Sequence, residues 1–207
     1  MKQFVAFAVL TALLAGAAGA ETTKKELPVV VLETSKGNIE IELYPDKAPI
    51  TVQNFLYYVD NKFYDGLIFH RVIPDFMVQG GGFTPEMTQK QPKPAIEIES
   101  ANGLMNDKYT IAMARTSDPN SATSQFFINV KDNAFLNFKS KTAQGWGYTV
   151  FGKVTSGQAA VDAIAKVKTG MKNGMNDVPV EVVKITKAYR KGAAPAKDAP
   201  KTTDSKG

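Results

Sequence analysis

Cysteine is absent from this 207-residue chain, and histidine and tryptophan occur once each. Disulfides, a thiol nucleophile and a thiolate metal site are therefore excluded, as is a zinc site built from several histidines. So is a small scaffold stapled by bridges. Long apolar runs are also lacking. The stretch Phe4 to Leu14 falls short of the ~20 residues that span a bilayer, so no membrane insertion is expected. No cysteine follows it to carry a lipid. Met1-Lys2 before it and Ala18-Gly19-Ala20 after it give the layout of a signal peptide, residues 1–20, cleaved after Ala20. The expected location is periplasmic.

A strong charge of one sign is missing from the body of the chain. The formal net charge is +5, but Lys2 leaves with the signal, and residues 190–207 hold five bases against two acids. About +1 remains for the folded part. A nucleic-acid reader would show a basic stripe on its folded face, and no nucleic-acid partner is expected. Residues 190–207, rich in Ala, Lys and Pro, have too little apolar surface to fold and are expected to be a disordered tail. Residues 21–28 form a short leader, and residues 29–189 a single domain, expected to be monomeric.

What is present is strand. Val29 to Thr34 and Ile39 to Tyr44 flank Ser35-Lys36-Gly37-Asn38, whose Gly-Asn marks a hairpin. Further candidates are Leu67 to Ile73, Phe76 to Gln79, Ala95 to Ile98, Tyr109 to Ala114, Gln125 to Val130, Thr149 to Val154 and Val180 to Lys187. Pro49 opens a helix with Val52, Phe55, Leu56 and Val59 on one face. A second helix is expected from about Gln158 to Lys168, capped by Ser156, with Val161, Ile164 and Ala165 on one face. About eight short strands and two helices point to an all-β domain, and closure into a barrel removes exposed edges.

The densest chemistry lies in Phe69 to Phe83, a strand, a proline turn, a second strand and a glycine run. It contains no carboxylate pair and no serine, which serves hydrolysis poorly. A guanidinium beside apolar side chains suits a reaction that breaks no bond. Alternation places Arg71 opposite His70, with Phe69 and Ile73 on its own side. Met77 and Gln79 share a face of the next strand, and Gln125 and Phe127 share one of a later strand, with Phe126 and Ile128 turned to the core. Gly80-Gly81-Gly82 lacks the Gly-Lys-Ser/Thr of a phosphate loop and reads as backbone freedom at a strand exit.

The run Phe69 to Phe83, the segment Ser124-Gln125-Phe126-Phe127-Ile128 and the run Val150-Phe151-Gly152-Lys153-Val154 resemble the cyclophilin family of peptidyl-prolyl cis-trans isomerases, closest to its exported bacterial members. The resemblance covers Val29 to Tyr189. It implies a closed eight-stranded antiparallel β-barrel capped by two helices, with the active groove on the outer surface. It implies that Arg71 is the principal catalytic residue and that Gln79 hydrogen-bonds and orients it. Phe76, Met77, Phe127 and Leu136 would hold the proline ring. Gln125 and the backbone around Ala114 and Arg115 would bind the peptide main chain. The implied partners are proline-containing polypeptides folding after export; no cofactor or metal is implied.

Three departures from the family pattern stand out. Tyr148 lies where many relatives have histidine, and Phe135 where many eukaryotic relatives have tryptophan. Loss of the indole N–H predicts weak binding of cyclosporin-like inhibitors. The connection Asn137 to Gly147 is long and holds Lys139, Lys141 and Trp146, which either shapes the rim of the groove or packs the loop down. Two other functions compete: a barrel that binds proline segments as a chaperone or scaffold without turnover, and a hydrolase with His70 as base.

Overall fold

The computed structural model describes residues 26–192. The predicted signal segment and most of the predicted tail lie outside the described residues. Eight strands form one antiparallel sheet: β1 (Val29–Thr34), β2 (Gly37–Leu43), β3 (Ile68–Ile73), β4 (Met77–Phe83), β5 (Thr110–Met113), β6 (Phe126–Asn129), β7 (Val150–Ser156) and β10 (Ile185–Arg190). Their order is β10-β1-β2-β7-β5-β6-β4-β3. The two edges meet where Ile68 bridges Lys184 and where the amide of Phe69 donates to the Val183 carbonyl at 2.9 Å, so the barrel is nearly closed. The remaining two strands, β8 (Thr169–Lys172) and β9 (Met175–Pro179), make a separate hairpin beside β3.

The barrel interior is filled by side chains, as a small barrel requires. Phe55, Tyr64, Phe69, Phe126 and Phe151 are all fully buried there. Phe55 and Tyr64 each meet Phe126 edge-on, at 5.6 and 5.5 Å between ring centroids. Helix α1 (Pro49–Asp60) buries Val52, Phe55, Leu56 and Val59, the face its spacing predicts. Its first turn has no local side-chain cap. The Glu99 carboxylate supplies one from a distant loop, accepting from the Ile50 amide at 3.1 Å, the Thr51 amide at 2.8 Å and the Thr51 hydroxyl at 2.7 Å. A negative group there satisfies orphan N–H donors and opposes the positive end of the helix dipole.

Four expectations are corrected. Helix α2 (Gln158–Ala165) is shorter than predicted, and its cap position is Gly157, not Ser156, which ends β7. Gly157 has φ 86° and its Cα faces the Asn38 carbonyl so closely that a Cβ would lie 2.0 Å from it. The segment Ala95 to Ile98 is not a strand and makes only the single bridge Ile96–Ala122. The last barrel strand runs from Ile185 rather than Val180, and it includes Arg190, the first residue of the expected tail. Arg190 Nε donates to Asp60 Oδ1 at 2.7 Å, tying the end of β10 to α1. Finally, the β8–β9 hairpin has no counterpart among the strands that the sequence predicts.

Candidate active site

Outside the barrel, a second apolar cluster forms on the outer face of β4, β5, β6 and β7, from Met77, Ala112, Phe127 and Val150. Leu136, on a short 3-10 turn at Ala134–Leu136, joins them, with Phe76 and Tyr148 packed against the cluster. A groove of about 370 Å³ opens over this cluster. Every predicted site residue except Phe135 lines it: Arg71, Gln79, Gln125, Ala114 and Arg115 together with the apolar floor. Phe135 is 64% exposed and stacks on Phe76, with ring centroids 5.6 Å apart and planes at 26°. It supports a lining residue from outside.

Arg71 reaches the groove by a route that simple alternation does not give. The β3–β4 register pairs Phe69 with Gly80 and Arg71 with Gln79, so His70 is an extra residue, a β-bulge. Phe69 therefore points into the barrel core rather than sharing the Arg71 face. His70 and Arg71, predicted on opposite faces, both border the groove. His70 is 1% exposed, with its ring 4.6 Å from that of Phe83. Burial, and then the neighbouring Arg71 charge, hold its imidazole at about pKa 4. A neutral, buried imidazole of such low basicity is a poor general base at neutral pH, which removes the support for a hydrolase.

The implied hydrogen bond between Arg71 and Gln79 is absent among the described residues. Instead Gln79 Nε2 donates to Gln125 Oε1 at 3.0 Å, and Arg71 Nε lies 3.8 Å from Asp177 Oδ2 on β9. Gly80 to Gly82 are not a flexible exit but the middle and end of β4. A Cβ at Gly82 would fall 2.6 Å from Gln125 Cγ, so this glycine is what lets the Gln125 side chain lie across the strand.

The far side of the groove is braced by Arg115. Its Nε donates to the Gly147 carbonyl at 2.8 Å, and its guanidinium carbon sits 4.8 Å above the Tyr148 ring. Tyr148 in turn meets Phe127 edge-on at 5.5 Å. The Ala114 amide donates to the Gln125 carbonyl at 3.0 Å, and the next amide, Arg115, makes no such bond among the described residues. Trp146 stays out of the groove. It packs on Phe138 at 5.5 Å, and its carbonyl accepts from the Ser100 hydroxyl, so it holds the long loop down.

Behind the apolar floor runs a chain of buried asparagines. Asn133 Nδ2 donates to the Phe76 carbonyl at 2.9 Å and to Asn129 Oδ1 at 2.7 Å. Asn129 Nδ2 donates to Asn106 Oδ1 at 3.2 Å, and Asn106 Nδ2 to the Leu136 carbonyl at 3.1 Å. Two pocket walls far apart in sequence are thereby linked through a run of hydrogen-bonded amides, which fix position in a buried setting. Composition alone gave no signal for this network. Phe83 and Met175 also line the groove, beyond the residues that the resemblance implies.

An antiparallel barrel of this order, carrying an open apolar groove rimmed by an arginine on its outer face, is the architecture of the cyclophilin class. The family model for cyclophilin type peptidyl-prolyl cis-trans isomerase/CLD matches residues 29–190. The peptidyl-prolyl cis-trans isomerase cyp18 of Streptomyces antibioticus is 62% identical over 162 residues, covering 78% of this chain and 98% of the relative. Isomerase B of Escherichia coli is 54% identical over 157 residues, covering 76% and 96%. A crystal structure of a Cryptosporidium parvum cyclophilin, determined in the presence of the dipeptide Ala-Pro, superimposes with TM-score 0.66 at 26% identity, covering 78% of this chain and 97% of that one. The chain belongs to the cyclophilin-type peptidyl-prolyl cis-trans isomerases. Its activity is isomerisation of the peptide bond that precedes proline.

Proposed function

We propose that Arg71 is the principal catalytic residue of this isomerase and that its clients are proline-containing polypeptides folding after export to the periplasm. The observation that carries the catalytic assignment is the guanidinium at the rim of an apolar groove floored by Met77, Phe127 and Leu136. The proline ring occupies that floor, beneath Phe76. The Ala-Pro dipeptide present with the Cryptosporidium relative supports this class of ligand. Signal-like residues 1–20 support export, with the mature chain starting at Glu21.

Amide resonance sets a barrier of ~18–20 kcal/mol to rotation, and the two X-Pro isomers exchange over tens of seconds or longer. Twisting the bond makes the prolyl nitrogen pyramidal and localises its lone pair. A fixed guanidinium that hydrogen-bonds this lone pair more strongly in the twisted state lowers the barrier selectively. Each ~1.4 kcal/mol of that preference is worth about tenfold in rate. The apolar floor holds the ring while the preceding carbonyl swings, and no proton is transferred. Gln79 serves through Gln125, holding its amide where the peptide main chain passes.

Exchange in a short Ala-Pro peptide, followed by NMR, tests the assignment. The native protein accelerates cis-to-trans exchange and Arg71→Ala loses most of that acceleration; equal rates for the two would overturn the role of Arg71. Expression in a bacterium with a periplasm, followed by mass measurement of the periplasmic protein, tests export. A chain starting at Glu21 is expected, and full-length protein retained in the cytosol would refute the localisation.

A further inference from the structure

We infer that Asp177, on the β8–β9 hairpin, is the positioning residue for the Arg71 guanidinium, the part that the family resemblance implies for Gln79. The inference rests on Arg71 being the catalytic group. Three independent features point to it. First, the partner expected for Arg71 makes no hydrogen bond to it among the described residues: Gln79 Nε2 donates to Gln125, and Gln79 Oε1 accepts nothing from the guanidinium. Second, Asp177 Oδ2 lies 3.8 Å from Arg71 Nε, while the terminal nitrogens of Arg71 donate to no oxygen among the described residues. A carboxylate on the Nε side biases the orientation of the planar group and leaves the outer nitrogens for a substrate.

Third, the backbone is shaped to deliver that carboxylate. Between the pairs Gly170–Val178 and Lys172–Met175, β9 has one more residue than β8, a bulge at Asn176-Asp177. Asp177 itself has φ 62°. Bulges and left-handed non-glycine residues re-aim side chains and are concentrated beside active sites. The hairpin is anchored rather than loose. Val178 is buried with Ile68 and Met87, and Lys172 Nζ donates to the Pro85 carbonyl at 3.1 Å. Met175 of the same hairpin enters the groove wall. Two bulges, one at His70 on β3 and one on β9, thus present a cation and an anion to each other at the groove edge.

Two variants separate the carboxylate from the backbone. Asn tolerates the left-handed region and is nearly isosteric with Asp, and Gly adopts positive φ without strain, so Asp177→Asn and Asp177→Gly both keep the hairpin. With a neutral Ala-Pro peptide, both are expected to lower kcat by about two- to fivefold at low salt, with KM little changed. The native rate falls toward theirs as salt rises to about 1 M, where the screening length is roughly 3 Å. The Arg71 Nε–Hε signal, read directly by 15N-edited NMR, shifts and exchanges faster with solvent in both variants. Native kcat in either variant, or an unchanged Hε signal, would overturn the inference. Arg71→Ala, run alongside, separates the two assignments. If it keeps native activity the catalytic role of Arg71 fails, while the Hε signal still decides whether Asp177 positions the guanidinium.

Discussion

Arg71 and Gln79 are direct cross-strand partners on β3 and β4, yet Gln79 Nε2 donates to Gln125 Oε1, 3.0 Å away, and Gln79 Oε1 accepts nothing from the Arg71 guanidinium. The rim of the groove is therefore two units, an amide pair and an ion pair, rather than one continuous chain. Removing either member of the amide pair frees the other from the position the pair holds it in, so the two amides act as one unit. Gln79→Ala and Gln125→Ala are each expected to lower kcat/KM by about tenfold, and the double variant by little more than either. Peptide exchange in all three variants checks this; strictly multiplicative losses would show that the two amides act apart.

Gly82 gives a second, more local test. Its φ lies outside the left-handed region, so alanine is compatible with the backbone, but the new Cβ would stand 2.6 Å from Gln125 Cγ. The Gln125 side chain has to move. Gly82→Ala is expected to raise KM several-fold while thermal stability changes by no more than about 1–2 kcal/mol. A variant with native KM would mean that Gln125 makes no contact with the peptide.

Much of the barrel was legible because its strands obey period two. Ile39, Ile41 and Leu43 alternate inward from β2, as their spacing demands. The groove was legible mainly through long, ordered motifs. What escaped has physical causes. Alternation failed at His70 because a bulge inserts one residue, which no periodicity count can register. The β8–β9 hairpin escaped because β8 is mostly exposed and carries no apolar stripe to signal a strand. Its turn residues, Asn173 and Gly174, both have positive φ, and Asn-Gly is the strongest short-range hairpin signal, so the clue was in the sequence. With that hairpin missed, Asp177 and Met175 were invisible as neighbours of Arg71. Glu99 as the cap of α1 joins residues about fifty positions apart, a contact that only the folded chain creates.

That remote cap predicts a stability effect without a catalytic one. Glu99→Ala leaves the Ile50 and Thr51 amides and the Thr51 hydroxyl without their carboxylate. Loss of a helix cap costs about 0.5–2 kcal/mol, and thermal or denaturant unfolding is expected to show a loss in that range. Activity per folded molecule is unchanged, because Glu99 does not line the groove. Glu99→Gln retains acceptor capacity and is expected to lie between the two.

Phe135 bears on inhibitor binding. It stands exposed beside the groove, stacked on Phe76, with no polar edge to offer. Phe135→Trp keeps an aromatic surface against Phe76 and adds an N–H donor at the rim. Inhibition by cyclosporin is expected to strengthen by about tenfold, the scale of one added hydrogen bond, with the exchange rate of a short Ala-Pro peptide unchanged. An inhibition curve that does not move would show that the indole N–H has no role at this position.

His70 makes stability depend on pH in a defined window. Its folded pKa is about 4, lowered first by burial and then by Arg71, against roughly 6.5 in an unfolded chain. Between these values the unfolded state binds the extra proton, so stability increases with pH there. The contribution is complete above about pH 6.5, declines as pH falls toward 4, and is lost below that, a total on the order of 3 kcal/mol. His70 Nδ1 has no hydrogen-bond partner among the described residues, so an apolar ring costs little at this position. His70→Phe is expected to flatten the pH dependence of unfolding between about pH 4 and 6.5, leaving only the carboxylate contribution at lower pH. It also retains most of the exchange activity at pH 7, where the native imidazole is already neutral. A variant with an unchanged pH slope would place the titrating group elsewhere, and a variant without activity would return His70 to the chemistry of the groove.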